Sequence, residues 1–275
     1  MDAPQRDTAP YLPVPDGQQN RAQSPSLGAA AGLIALYFLL QSAAGACIAF
    51  ALALATGFVQ PEQGFQPIGK AIGRMLDQPG MPATLVMLTL GVAATSIILL
   101  TRKKWPTLWS MAMPPGFGVA TPQNRAFFLL AIIIGLAAPL IGGLLTSLLA
   151  HGQTVTQDIQ TLGIGTPMAL RIALVIVVTS VGPMVEELLF RGVLLSALIQ
   201  RLSAGWSMAI SALLFSLVHL PSMQWQWFAL PDLALLALAV AWLRLRSGSL
   251  WPGVLAHSIN NLLAVVAWFV VVPSA

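Results

Sequence analysis

The chain has 275 residues, of which 57% are hydrophobic and only 8% charged, with a mean hydropathy of +0.80, against roughly 25% charged residues in a soluble domain. That composition excludes a water-soluble globular class and points to a polytopic membrane protein. The formal charge of +4 comes from Lys and Arg scattered at segment ends rather than from a basic patch, so nucleic acid is not an expected partner.

Residues 1–27 carry Pro4, Pro10, Pro13, Pro15 and Pro25 among Gln, Asp and Ser, and they lack the basic start and apolar core of a signal peptide. They read as a disordered cytosolic tail. A first apolar stretch runs from about 27 to 59, longer than the roughly 20 residues that a bilayer requires. Residues 60–80 are rich in Pro and Gly, with Phe65, Ile68, Ile72 and Leu76 spaced for a short interfacial helix. The single cysteine, Cys47, lies in the first span and cannot form an internal disulfide.

A second span, about 82–101, stops at Arg102-Lys103-Lys104, the densest basic cluster in the chain and a mark of the cytoplasmic side. A Pro-rich and Trp-rich loop leads to a third span at 126–150 and an almost uncharged loop at 151–166. The fourth apolar segment starts near Met168 and does not turn polar until Arg201. As one straight helix it would be about 50 Å long, against a hydrocarbon core of about 30 Å. Pro183, with no amide hydrogen, is the expected break. Spans at 207–220, 228–243 and 250–272 complete the count. The expected fold is an all-α polytopic membrane bundle of about seven helices with a cytoplasmic N-terminus. It forms one transmembrane domain, 28–275, made of N-terminal spans (28–167) and a core (168–272).

Two of the nine acidic residues fall inside apolar sequence in the run Gly182-Pro183-Met184-Val185-Glu186-Glu187-Leu188-Leu189-Phe190-Arg191-Gly192. An ionised group at bilayer depth costs roughly 2.5–3.5 kcal/mol on insertion scales, which makes such a pair a functional-site hypothesis. On a helix Glu187 and Arg191 share a face in the favourable acid-before-base order, while Glu186 points about 100° away. Glu187 is therefore the expected partner of Arg191, and Glu186 is left for chemistry. A purely structural ion pair beside a spare carboxyl group is the alternative.

Two of the three histidines also lie in apolar segments. Phe215 and His219 are four apart, as are His257 and Asn261, so each pair shares a helix face. Glu186, His219, His257 and Asn261 sit on three segments with little else polar at depth, and they are expected to converge. A buried carboxylate and an imidazole can take a proton from water. An amide and an imidazole N–H can stabilise an oxyanion. Glu186, His219 and His257 also form a conceivable zinc set, although His-Glu-x-x-His is absent and the spacing does not require a metal.

Glu-Glu-x-x-x-Arg, Phe-x-x-x-His and His-x-x-x-Asn, in this order and in apolar segments, resemble the motifs of the CPBP family of intramembrane proteases. That family, also called Abi, includes type II CAAX prenyl endopeptidases and bacteriocin-processing or self-immunity proteins. The resemblance covers roughly residues 168–272. It implies that Glu186 with His219 activates the attacking water, that His257 and Asn261 stabilise the oxyanion, and that Glu187, Arg191 and Phe215 support them. It implies a membrane-embedded or lipidated peptide substrate with the lipid bilayer as surroundings, and a bacterial inner membrane is the expected location. The family is classed as metalloprotease-like by its motifs, with a metal-free glutamate mechanism as the rival, so that no cofactor is assigned and a divalent metal such as zinc stays open. A non-catalytic scaffold or self-immunity protein is the competing reading. A proton-coupled transporter using Glu186 is less favoured, because no inverted repeat is visible.

Overall fold

The computed structural model describes residues 24–59, 68–153, 162–163 and 165–270, and every regular element among them is helical. Most of the expected N-terminal tail and residues 60–67 lie outside the described residues. In chain order the helices are α1 (Leu27–Val59), α2 (Ile68–Leu76), α3 (Met81–Lys104), α4 (Pro106–Ser110) and α5 (Ala126–Ala150). They continue with α6 (Met168–Ile199), α7 (Ala204–Val218), α8 (Leu230–Ser247), α9 (Trp251–Val265) and α10 (Ala267–Val270).

Among the described residues five helices are long and apolar enough to cross a bilayer: α1 as far as Leu52, α3, α5, α6, and the stretch from Trp227 that includes α8. The expected count of seven is not met at that length. Helices α7 and α9 have 15 residues each, or about 22 Å, short of a core of about 30 Å. A turn at Val266 separates α9 from α10. Side chains such as Leu140 (74% exposed) and Leu129 (64% exposed) project outward from α5, an arrangement stable against lipid and not against water.

Pro183 does not break α6. The helix runs on through two π-helical segments, Val177–Val181 and Leu188–Leu194, which flank the α-helical Gly182–Glu187. In the first segment the Gly182 amide donates to the Val177 carbonyl, and Pro183, next in line, has no N–H to offer. The Val178 carbonyl is thereby left without an amide from its own helix. The side-chain amide of Asn261 on α9 takes its place, at 3.0 Å. The break expected from sequence is thus a change of register, completed by a hydrogen bond from another helix.

The excess length of α6 is also accounted for. Residues 187–198 are buried without exception, and they pack with Tyr37, Ile97, Phe117 and Phe215 in the main core. This end of the helix meets protein rather than lipid. Beside it lies the loop after α4, four of whose carbonyls are engaged by neighbouring elements. Gly116 O accepts from Arg244 Nη2 (2.7 Å) and Ser196 Oγ (3.2 Å), Gly118 O from the Leu250 amide (2.7 Å), Val119 O from Trp251 Nε1 (2.8 Å) and Ala120 O from Ser249 Oγ (2.7 Å). Buried backbone acceptors need such partners. Gly118 has a φ of +73°, and a Cβ there would run into the Arg244 guanidinium; only glycine fits both conditions. The loop draws the ends of α6 and α8 and the start of α9 to one end of the bundle.

Candidate active site

Glu186 and Glu187 occupy the short α-helical section of α6 between the two π segments. His219 directly follows the last residue of α7, and its Nδ1 lies 2.7 Å from the Phe215 carbonyl. A carbonyl can only accept, so Nδ1 carries the proton and Nε2 of the neutral ring presents a lone pair. His257 sits on α9, and its Nδ1 lies 3.0 Å from Glu187 Oε1. With the carboxylate oxygen as acceptor, the proton here too lies on Nδ1 and leaves Nε2 as the outward nitrogen.

Both Nε2 atoms face one oxygen. Glu186 Oε2 is 3.9 Å from His219 Nε2 and 3.8 Å from His257 Nε2. Neither distance is a direct hydrogen bond, and each leaves room for a bridging water. The Glu186 and His219 side chains keep 16% and 22% of their surface open, whereas His257 and Glu187 keep 6% and 1%. The accessible side of the cluster is therefore that of Glu186 and His219.

Glu187 lies beneath this cluster and faces away from the opening. Its Oε1 accepts from Arg191 Nη1 and from His257 Nδ1, both at 3.0 Å, and Arg191 Nη2 donates to the Ala237 carbonyl of α8 at 2.9 Å. One carboxylate thus joins α6 to α9, and its arginine joins α6 to α8. Helix α9 comes this close because Gly253, one turn before His257, has no side chain. A Cβ there would lie 2.6 Å from Val240 Cγ1 and 3.4 Å from Glu187 Oε2. The Phe215 ring completes the wall. It packs 4.6 Å from the His219 ring and edge-on to His257 at 5.5 Å, with Arg191 Cζ 4.6 Å from its centroid.

The structure brings together Glu186, His219, His257, Glu187, Arg191 and Phe215. Asn261 is one turn beyond His257, with its amide on Val178. Tyr37 of α1 went unnoticed in the sequence: it is 1% exposed, and its hydroxyl donates to Glu186 Oε1 at 3.4 Å. The available signal was the pair Tyr37 and Gln41, polar groups four apart in a largely apolar span.

The donor set of Glu186, His219 and His257 is one that a divalent metal accepts, but its spacing is wide. Tetrahedral zinc with bonds of about 2.0–2.1 Å holds its ligand atoms roughly 3.3–3.4 Å apart, against the 3.8 and 3.9 Å measured here. Among the described residues no group of three or more His, Cys, Asp or Glu side chains closes on a metal position. The arrangement in this conformation fits a water better than a zinc ion.

Residues 168–263 match the family model for type II CAAX prenyl endopeptidase Rce1-like proteins, a region from the start of α6 nearly to the end of α9. No curated protein and no solved structure matches the chain. The matched region holds every residue of the cluster except Tyr37. The chain is an integral membrane protein, and the match of its residues 168–263 to the type II CAAX prenyl endopeptidase Rce1-like model is consistent with the CPBP family of proteases.

Proposed function

We propose that the chain is an intramembrane endopeptidase that hydrolyses a peptide bond of a membrane-anchored or lipidated substrate, using a water held between Glu186 and His219. The observation that carries this reading is the convergence of two imidazole Nε2 atoms on Glu186 Oε2, with the other nitrogen of each ring already engaged. A water about 2.8 Å from both Oε2 and His219 Nε2 spans their 3.9 Å separation. Glu186 takes a proton as the water oxygen bonds to the scissile carbonyl carbon, whose own oxygen becomes an alkoxide. The C–N bond then breaks as the proton passes to the leaving amine, and the products are a carboxylic acid and an amine.

Because His257 Nδ1 already donates to Glu187, its Nε2 can donate to the alkoxide only as the imidazolium. Glu187 supplies the compensating charge. Asn261 carries two amide hydrogens. With one held by Val178, the other serves as a second oxyanion donor, an interaction worth roughly 3 kcal/mol of barrier in a dry site. The proposal of a CAAX-type substrate rests on the family match alone.

One observation favours a non-catalytic scaffold or self-immunity protein instead. Glu187, Arg191, His257 and Asn261 all make bonds between helices that would hold the bundle together without any reaction. The test is turnover of a membrane-anchored peptide by purified, metal-analysed protein. Cleavage by metal-free wild-type protein, abolished in Glu186→Gln, supports the water mechanism. Activity lost to chelator and restored by zinc would instead make Glu186, His219 and His257 a ligand set. Full biological function of Glu186→Ala in the host would leave the scaffold.

A further inference from the structure

We infer that Tyr37, on the first transmembrane helix and outside the region that matches the protease family, is a positioning residue for the Glu186 carboxylate. The inference rests on the proposed role of Glu186. A carboxylate at the end of a glutamate side chain turns about its last bond with little restraint, and only one of its oxygens can face His219 and His257 at a time. Oε2 is the oxygen they share, at 3.9 and 3.8 Å. Oε1 is the oxygen that the Tyr37 hydroxyl holds, at 3.4 Å. By engaging one oxygen, Tyr37 turns the other toward the histidines.

The tyrosine is itself held firmly. It is 1% exposed and lies in the main core with Val185, Leu189 and Phe190 of α6. Its ring meets Phe38 edge-on at 5.0 Å, and Gln41, one turn along, hydrogen-bonds to the same phenol. A hydroxyl buried this deeply in an apolar helix requires a partner, and Glu186 provides one on a different helix, 149 residues away in sequence. Phenylalanine would fill the same volume. The hydroxyl is what addresses the carboxylate. The reaction thus draws on α1, a helix outside the region that matches the family model.

The test compares Tyr37→Phe, Phe38→Leu, Glu186→Gln and wild type, all as full-length protein in proteoliposomes with a membrane-anchored reporter peptide. Tyr37→Phe should lower kcat about tenfold, the size expected for a lost hydrogen bond to a charged group. Its KM and thermal midpoint should stay close to those of wild type. Phe38→Leu disturbs the same packing without touching the hydroxyl, and should lower the thermal midpoint while leaving kcat within about twofold. Equal kcat for Tyr37→Phe and wild type would overturn the inference, and so would an equal kcat loss in Phe38→Leu. A Tyr37→Phe chain that fails to fold would overturn it too, because the hydroxyl would then be holding the bundle rather than the carboxylate. If Glu186→Gln cleaves the reporter as wild type does, or wild type does not cleave it, the proposed function fails, a result distinct from the kcat pattern of Tyr37→Phe alone.

Discussion

The side-chain amide of Asn261 on α9 donates to the backbone carbonyl of Val178 on α6, 3.0 Å away, at the one position where the π register and Pro183 leave that carbonyl without a helical amide. One residue thus joins the proposed oxyanion side of the site to the irregular turn that precedes Glu186.

Removing that amide should affect two measurements. Asn261→Ala leaves a buried carbonyl unpaired and should cost about 1–3 kcal/mol of stability. Measured per folded molecule, its kcat should also fall about 100-fold with substrate affinity nearly unchanged, since an oxyanion bond is made in the transition state. Adding Pro183→Ala returns an N–H to the turn and should recover part of the stability but not kcat. Strictly additive stability losses in the double mutant would show that Pro183 and Asn261 do not act on the same carbonyl.

The two adjacent glutamates should separate by phenotype. Glu187→Gln weakens the acceptor of Arg191 and His257 at once, both at 3.0 Å, and breaking a buried charge pair costs about 3–5 kcal/mol. Folded yield and thermal midpoint should drop sharply. Glu186→Gln, on the open side of the cluster, should give normal yield and no turnover. Normal yield for Glu187→Gln with poor yield for Glu186→Gln would reverse the two roles.

Gly253 offers a test of the α8–α9 approach. Gly253→Ala places a methyl group 2.6 Å from Val240 Cγ1, and overpacking of this kind typically costs about 1–3 kcal/mol. Because His257 is one turn away on the same face, kcat should fall as well. Val240→Ala in the same chain removes the colliding methyl group and should restore most of the kcat. If it does not, the close approach of the two helices is not what sets the position of His257.

Topology can be read by thiol labelling in a Cys47→Ala background. The cluster Arg102-Lys103-Lys104 places the loop that contains Gln123 in the cytoplasm, and α5 then carries Gln153 to the other side. Both residues are exposed. Gln153→Cys should react with an impermeant reagent in intact cells, and Gln123→Cys only after permeabilisation. The opposite pattern would invert the bundle.

Much of the arrangement is legible from local spacing. Glu187 and Arg191 are four apart on one helix, and the ion pair they form is a property of helical geometry that no other segment has to supply. The apolar composition likewise dictates helices in lipid, where each backbone group must be satisfied within its own segment. The same local logic failed at Pro183. Its effect depended on whether another helix could serve the stranded carbonyl, and Asn261 lies 83 residues from Val178.

By itself, then, the sequence determined an all-helical membrane protein, the face shared by Glu187 and Arg191, and the three polar segments that carry the cluster. These follow from composition and from periods of three to four residues, which act over a single helical turn. Only the tertiary structure decided that α6 passes Pro183 unbroken, that one oxygen of Glu186 faces two histidines, and that Tyr37 holds the other. Those outcomes depend on distances between helices, which are set by packing at points such as Gly253 against Val240, and on the need to pair every buried polar group with whatever the neighbouring helix presents.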